Sequence, residues 1–299
     1  AILILAYSIL CVVSIFGNTL VCYVICKNKR LHTATNYFIA NLAISDLLVT
    51  CVNVPFNIAR NILDDWPFGI VLCQLVNFSL MTSVYVSTYT LTAIALDRHR
   101  VVLKPFTTRM SKTAAAVILI AIWVVAVTLS LPYGIFNTVK EVKFFVSSAQ
   151  RCSSEFPEPK IFFEKYLTLA TICLQYVLPL TLIGIAYGRI VRKLWARTHV
   201  GAVTHTQQIS QAKAKKKSIK LLITVVIVFA LCWLPLNLYH LLTDLHPDPA
   251  VFPYNSNAFF ICHWVAISST CFNPFIYCWL NEIFREELLA KLRWCLKRS

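Results

Sequence analysis

The sequence predicts an all-α membrane protein, a seven-transmembrane helix bundle followed by an amphipathic helix on the membrane surface. Three observations predict it. Hydrophobic residues make up 58% of the 299 positions and charged ones 14%, against roughly 45–50% and 25% in ordinary soluble domains. Seven long windows are nearly free of charge, and each exceeds the about 20 residues that a helix needs to cross the hydrocarbon core. Lys and Arg then fall unevenly on the two sides that those windows define. A soluble globule and a disordered chain are both excluded. The net charge of +15 does not imply nucleic-acid binding, because no aqueous segment is long enough to form a binding domain. A barrel is excluded too, since the windows far outrun ~10-residue barrel strands and lack their alternation.

The windows run in order. The first, 1–26, holds no acid or base. Residue 1 already lies inside it and is not Met, so no cleavable leader can be read, and tails beyond the sequence are expected. The second, 31–59, contains Asp46, the one Asp, Glu, Lys or Arg found within any window, and Pro55. The third, 66–96, is long enough to tilt or to protrude from the bilayer, and Asp97-Arg98-His99 closes it. An ordinary interfacial anchor is the alternative reading of that triplet. The fourth is 113–139, and the fifth, 166–188, carries Pro179. The sixth, 221–243, is interrupted by Pro235 in Cys232-Trp233-Leu234-Pro235, and the seventh, 249–281, by Asn273-Pro274. Each proline removes a backbone bond and bends its helix, which suits a bundle that changes shape. The helices themselves are expected at about 1–26, 36–62, 70–103, 113–137, 166–192, 217–243 and 252–278, one domain over 1–278. The surface helix is expected at 279–298, where Leu280, Ile283, Phe284, Leu288, Leu292 and Leu296 recur at helical spacing among basic residues. Cys295 near its end is a palmitoylation candidate, with an unmodified thiol as the alternative.

Orientation follows from the basic residues. Twenty-two Lys and Arg lie in 27–30, 98–112, 189–220 and 285–298, against six on the other side: Arg60, Lys140, Lys143, Arg151, Lys160 and Lys165. The richer side faces the cytoplasm, which puts the N-terminus outside and the C-terminus inside. Lys215, Lys216 and Lys217 either carry only this signal, together with attraction to anionic lipid, or also bind a partner.

Asp46 lies at mid-membrane depth, where a carboxyl is expensive and usually functional. Ser45 beside it, with Asn18, Ser87 and Asn273 from other windows, is its candidate company, an oxygen-rich set that suits a hard cation such as sodium. A protonated carboxyl hydrogen-bonded within the bundle is the alternative. Two cysteines fall on the outer side, Cys73 and Cys152, where oxidising conditions favour a disulfide over two free thiols. Signatures of an enzyme are missing: there is no zinc-type ligand spacing, no phosphate-cradling glycine loop and no intramembrane catalytic pair.

Further residues complete a pattern: Gly17-Asn18, Leu42-Ala43 with Asp46, Asp97-Arg98-His99, Trp123, Pro179 with Tyr187, Phe229 with Cys232-Trp233-Leu234-Pro235, and Asn273-Pro274-Phe275-Ile276-Tyr277. Together, in order and on the matching spans, they resemble the rhodopsin-like (class A) G-protein-coupled receptors from residue 1 to about 298. The resemblance implies a receptor that takes a ligand from outside and activates a cytoplasmic heterotrimeric G protein, with arrestin and receptor kinases as further partners. Asp97 would hold Arg98 until the sixth helix swings outward about Pro235. Trp233 and Phe229 would form the trigger beneath the ligand, and Tyr187 and Tyr277 would turn inward to support the open state. Asp46, Ser87 and Asn273 match the family's allosteric sodium pocket; no other cofactor is implied. Two departures stand out, His99 where most members have Tyr and Thr88 where many have Ile.

The resemblance narrows the ligand. Amine receptors need an acid in the outer half of the third helix, but Leu80 stands at that position; opsins need a Lys in the seventh helix, which has none. Trp66-Pro67-Phe68-Gly69, His263 and Asp244 look like the neuropeptide Y, RFamide and tachykinin-type receptors. In the neuropeptide Y branch an acid at the place of Asp244 pairs with an arginine near an amidated C-terminus, a physically sensible charge-assisted bond; a solvated loop-edge acid is the alternative. His240 and Asn237 would share that pocket, with Gln74 and Phe78 across from them. Leu80 replaces the Gln of those receptors and Arg60 replaces an aromatic residue, so Arg60 could meet an acidic peptide or a free carboxylate instead. Lys193-Leu194-Trp195, Lys215-Lys216-Lys217 and Phe156-Pro157-Glu158-Pro159 are most similar to an orphan-type neuropeptide group of that branch. A receptor-shaped protein that signals without a peptide is the alternative function, and a transporter or light-driven pump lacks the intramembrane carboxylates or Lys it would need.

Overall fold

The computed structural model describes residues 2–63, 65–104, 110–143, 148–198, 206–246, 251–252, 255–280 and 285–286. Among these, seven helices are long and apolar enough to cross a membrane. The first span is α1 (Ile2–Lys27). A short 3₁₀ turn, Lys29–Leu31, is capped by the Asn28 side chain. The second span joins α2 (Ala34–Leu48) to α3 (Val54–Leu63) through a π turn, Val49–Asn53. The third span is α4 (Gly69–Leu103) and the fourth is α5 (Lys112–Ile135), which starts where the Ser111 hydroxyl accepts the Ala114 N–H. Two antiparallel strands follow, β1 (Asn137–Lys143) and β2 (Ser148–Ser154), in the register Asn137 to Ser154. The fifth span joins α6 (Lys160–Thr171) to α7 (Leu178–Thr198) through a second π turn, Ile172–Val177. The sixth is α8 (Thr206–Leu245) and the seventh α9 (Ser256–Leu280).

Both π turns have the same cause. A proline ring collides with the carbonyl four residues earlier, and Pro55 and Pro179 place that carbonyl on Cys51 and Gln175, inside the two turns. Opening the helix to an i→i+5 turn makes room. The bends expected at these two prolines are thus taken up by an extra residue, whereas Pro235 and Pro274 lie within uninterrupted helix.

Span boundaries shift from the expected ones. The fifth begins at Lys160 rather than 166, and the sixth extends inward to Thr206. The windows were cut at charges, but a helix that leaves the bilayer keeps its backbone bonds and tolerates charge in water. The outer loop contains a hairpin whose first residues, Asn137–Val139, fall inside the fourth window. Cys295 and most of the expected surface helix at 279–298 lie outside the described residues.

The core is apolar towards the bundle axis and also on the outer faces, as expected where lipid is the solvent. Val117, Ile120 and Val124 on α5 are each 60–64% exposed. With no hydrophobic drive between helices, buried polar bonds and small residues bind the spans. Trp123 Nε1 donates to Asn41 Oδ1 at 2.8 Å, and Asn41 Nδ2 donates to Thr90 Oγ1 at 2.9 Å, tying spans two, three and four. Asn18 Nδ2 donates to the Thr270 carbonyl at 2.9 Å, tying spans one and seven. Directly beside it Gly17 faces the Pro274 ring.

The hairpin is held down at three places. Cys152 of β2 is disulfide-bonded to Cys73 at the outer end of α4, with the Cα atoms 5.6 Å apart. Trp66 N–H donates to the Gln150 carbonyl at 2.8 Å while Asp65 Oδ1 accepts the Gln150 N–H at 2.6 Å. Trp66 is 2% exposed and packs with Phe56, Phe68, Cys73 and Cys152, its indole N–H donating to the Gly69 carbonyl at 2.9 Å. Gly69 itself has φ +75°, a conformation that a side chain would strain. The third tie is an aromatic triad, Phe136, Phe156 and Phe163, with centroids 5.1–5.9 Å apart. Lys140 and Glu155 pair at 2.7 Å on the surface, and the ammonium holds the Glu155 carboxyl below its usual range. Such an exposed pair adds little stability.

Candidate functional site

Beneath the hairpin a cavity of about 320 Å³ opens between spans three, five, six and seven. Trp233 lies at its inner end, and Asn137, Ser154 and Phe156 of the outer segment line its roof. Five of the expected pocket residues line it: Leu80, Asn237, His240, Asp244 and His263. Gln74, Phe78 and Arg60 are placed elsewhere. Gln74 Nε2 donates to the Asn137 carbonyl at 3.3 Å, because the disulfide next to it draws that turn of α4 against β1. Phe78 packs against Gly134 of the fourth span. The Arg60 guanidinium stands over the Phe260 ring at 5.8 Å, between spans two and seven.

Asp244 belongs to the last turn of α8 rather than to a solvated loop edge. Its Oδ1 accepts the Thr243 hydroxyl at 2.7 Å and its Oδ2 the Thr168 hydroxyl at 2.9 Å, with His240 Nδ1 at 3.5 Å. These donors leave the carboxylate oriented towards the cavity. A second carboxylate lines the same wall, Glu164 of α6. Sequence reasoning missed it because the charge-based window began at 166. The signal was nevertheless present: Glu164, Thr168, Thr171 and Gln175 recur at spacings of four, three and four, one face of a helix, and all line the cavity. His263 is 1% exposed; its Nδ1 lies 2.7 Å from the hydroxyl of Tyr7, another unforeseen participant, on α1.

Trp233 links this cavity to a smaller one. Its indole N–H donates to Ser269 Oγ at 3.2 Å, and its ring lies 5.9 Å from that of Phe229. Ser269 and Phe229 line an inner void of about 10 Å³ together with Asp46, Ser87, Asn273, Leu42, Leu91 and Val225. There Asn273 Nδ2 donates to Asp46 Oδ2 at 2.8 Å and Ser45 Oγ lies 2.7 Å from Ser87 Oγ. The void holds about one water-sized sphere. Carboxylate and hydroxyl oxygens suit sodium, and a bare ion, smaller than water, is within that size; an ion with its own water shell is not. Asn18, expected near Asp46, instead bonds to Ser14 and the Thr270 carbonyl.

Replacing Asp46 by Leu should strand the Asn273 amide without an acceptor, at a cost of about 1–3 kcal/mol. Asp46→Asn keeps an acceptor and should lose less than half as much. Melting of the purified protein with both variants checks this, and equal losses would show that the carboxyl matters by charge rather than by this bond.

At the inner end, Asp97 Oδ2 and Arg98 Nη2 pair at 3.1 Å, and Arg98 Nη2 also donates to Thr35 Oγ1. Lys193 Nζ donates to the Leu103 carbonyl at 2.5 Å, bracing span five on span three. The Tyr187 hydroxyl and His99 Nε2 are buried with no partner among the described residues. Gln175 Nε2 reaches Thr88 Oγ1 at 3.5 Å. The side chains of Lys215, Lys216, Lys217 and Tyr277 lie outside the described residues.

Comparison with known proteins matches the sequence to a family. The family described as 7 transmembrane receptor (rhodopsin family) matches residues 17–277. The tachykinin-like peptides receptor 99D of Drosophila melanogaster is 34% identical over 95% of this chain and 56% of its own length. The RYamide receptor of Drosophila melanogaster is 37% identical over 96% of this chain and 63% of its own length. The substance-P receptor of Homo sapiens is 35% identical over 97% and 70%. The chain thus spans 56–63% of the length of the first two. A match across most of the sequence, together with seven membrane-capable helices, makes this a multi-pass membrane protein from a family of receptors rather than enzymes. The chain belongs to the rhodopsin family of seven-transmembrane receptors.

Proposed function

We propose that this chain is a plasma-membrane receptor, N-terminus outside and C-terminus inside, which binds a neuropeptide and activates a heterotrimeric G protein. The observation that carries the reading is the outer cavity: acidic on its wall, roofed by a pinned hairpin, and joined through Trp233 to Ser269 and the inner polar void. A ligand pressing on Trp233 acts on the packing of spans six and seven, and outward movement of α8 about Pro235 opens the inner end. Ligand and G protein then bias one equilibrium reciprocally. The names of the relatives, receptors for tachykinin-like peptides, RYamide and substance P, support a peptide ligand.

The finer reading takes the ligand to be an amidated peptide, as in the neuropeptide Y branch, with a guanidinium on Asp244. His240, Asn237, His263 and Leu80 complete its pocket. Sodium held by Asp46, Ser87 and Asn273 favours the closed state. Arrestin and receptor kinases follow from the family resemblance, and anionic lipid from the basic inner face.

The test is G-protein dissociation in cells expressing the full-length protein, across amidated and free-acid peptides, with Asp244→Ala alongside. Removing one side of a partly buried charge pair costs about 2–5 kcal/mol, so potency of an arginine-amide agonist should fall about 100-fold. A response untouched by Asp244→Ala keeps the receptor and removes the anchor. Silence across the panel, with basal signalling well above vector, favours a receptor that signals without a peptide.

A further inference from the structure

The inner half of the sixth span carries no carboxylate for Arg98. From Thr206 to Thr243 the sequence contains no Asp or Glu, and Lys213, Lys215, Lys216, Lys217 and Lys220 crowd its inner end. A guanidinium approaching that end meets like charge, which repels it. Asp97 neutralises Arg98 at 3.1 Å, but the two are chain neighbours, so their pairing ties no two spans together.

The contact that does cross between spans is with the second one, where Thr35 Oγ1 accepts the Arg98 guanidinium. That hydroxyl is spared for the purpose, because Thr33 serves as the N-cap of α2, its side chain accepting the Asn36 N–H at 3.4 Å. A second partner waits on span five: the buried Tyr187 hydroxyl has no partner among the described residues, and neither has Arg98 Nε.

We propose that Thr35 is the positioning residue that latches Arg98 in the resting state, in place of any acid on the sixth span. While the latch is closed, the Arg98 charge is turned towards the second span. When it opens, the guanidinium is free to leave the second span, and the surplus of positive charge that the sequence puts on the inner part of α8 favours the outward position of that helix. The proposal rests on the G-protein-receptor reading.

Thr35→Val keeps the side-chain shape and removes the hydroxyl; Thr35→Ser keeps the hydroxyl. Basal G-protein activation at matched surface level should rise at least threefold in Thr35→Val and stay at the parental level in Thr35→Ser. An unchanged or lower basal level in Thr35→Val overturns the latch, and so does Thr35→Ser behaving like Thr35→Val. Should Thr35→Val fail to reach the surface, Thr35→Ala replaces it, read in purified full-length protein by an environment-sensitive fluorophore at the inner end of α8. That label should shift without any G protein present. A shifted label with silent G-protein assays keeps the latch and overturns the G-protein reading; an unshifted label with intact agonist signalling does the reverse.

Discussion

Cys152→Ser should abolish the ligand response and lower the melting temperature of the purified protein more than any single change in the cavity wall. The disulfide closes a separation of 79 residues. For a loop of that size the chain-entropy account gives a stabilisation of roughly 4–5 kcal/mol. Much of the loop here is α4 and α5, which are already confined by the bilayer, so a loss of about 2–4 kcal/mol is expected. The functional loss has a separate origin. Val139 and Cys152 lie opposite one another in the hairpin and both pack on the Trp66 cluster, so release of Cys152 frees the strands that carry Asn137 and Ser154 over the cavity. Thermal melting and ligand titration of the same preparation check both parts. A melting point within a degree of the parent would show that the Gln150 bonds to Asp65 and Trp66 hold the hairpin unaided.

Gly17→Ala is the second large effect. A Cβ at this position would lie 2.7 Å from Pro274 Cγ and 2.9 Å from Pro274 Cβ. A proline ring has no rotamer with which to retreat, so the two helices must separate. Overpacking costs typically 1–3 kcal/mol, and the upper end is expected here. Separation also stretches the neighbouring bonds, Asn18 Nδ2 to the Thr270 carbonyl and Cys271 Sγ to the Leu10 carbonyl. Most of the variant should be retained inside the cell, with the surviving fraction melting several degrees lower. Normal surface density would mean that α1 can slide along α9 at no cost.

The architecture was legible because a bilayer reduces it to one question, where charge is absent for about 20 residues. That rule located all seven spans, and it failed where its premise ended, at Lys160 and at Thr206, where helix continues into water. The hairpin was invisible because its register is set by a disulfide and by Gln150 bonding to Asp65 and Trp66, contacts made across 79 and 85 positions. Asp244, His240, Asn237 and His263 were named from the family resemblance rather than from spacing, and all four line the cavity. Gln74 and Phe78 share α4 with Leu80, yet one bonds to β1 and the other packs on Gly134. Which turn of a helix faces a cavity depends on its neighbours, and no single helix encodes them. Tyr7 was missed for the same reason, since its partner lies 256 positions away.

The two π turns carry a consequence for insertion and deletion. Each adds one residue to a helical turn, and so rotates everything beyond it by about 100° relative to an unbroken helix. Removing one residue from Val49–Asn53 or from Ile172–Val177 would take out the extra residue, leave the proline as an ordinary helix kink, and swing the outer part of that span alone. In span five the swing would carry Glu164 and Thr168 off the cavity wall while leaving Tyr187 and the inner contacts in phase. These two short stretches are therefore where a change of chain length by one residue can re-aim the half of the bundle that lines the large cavity without disturbing the half that holds Arg98.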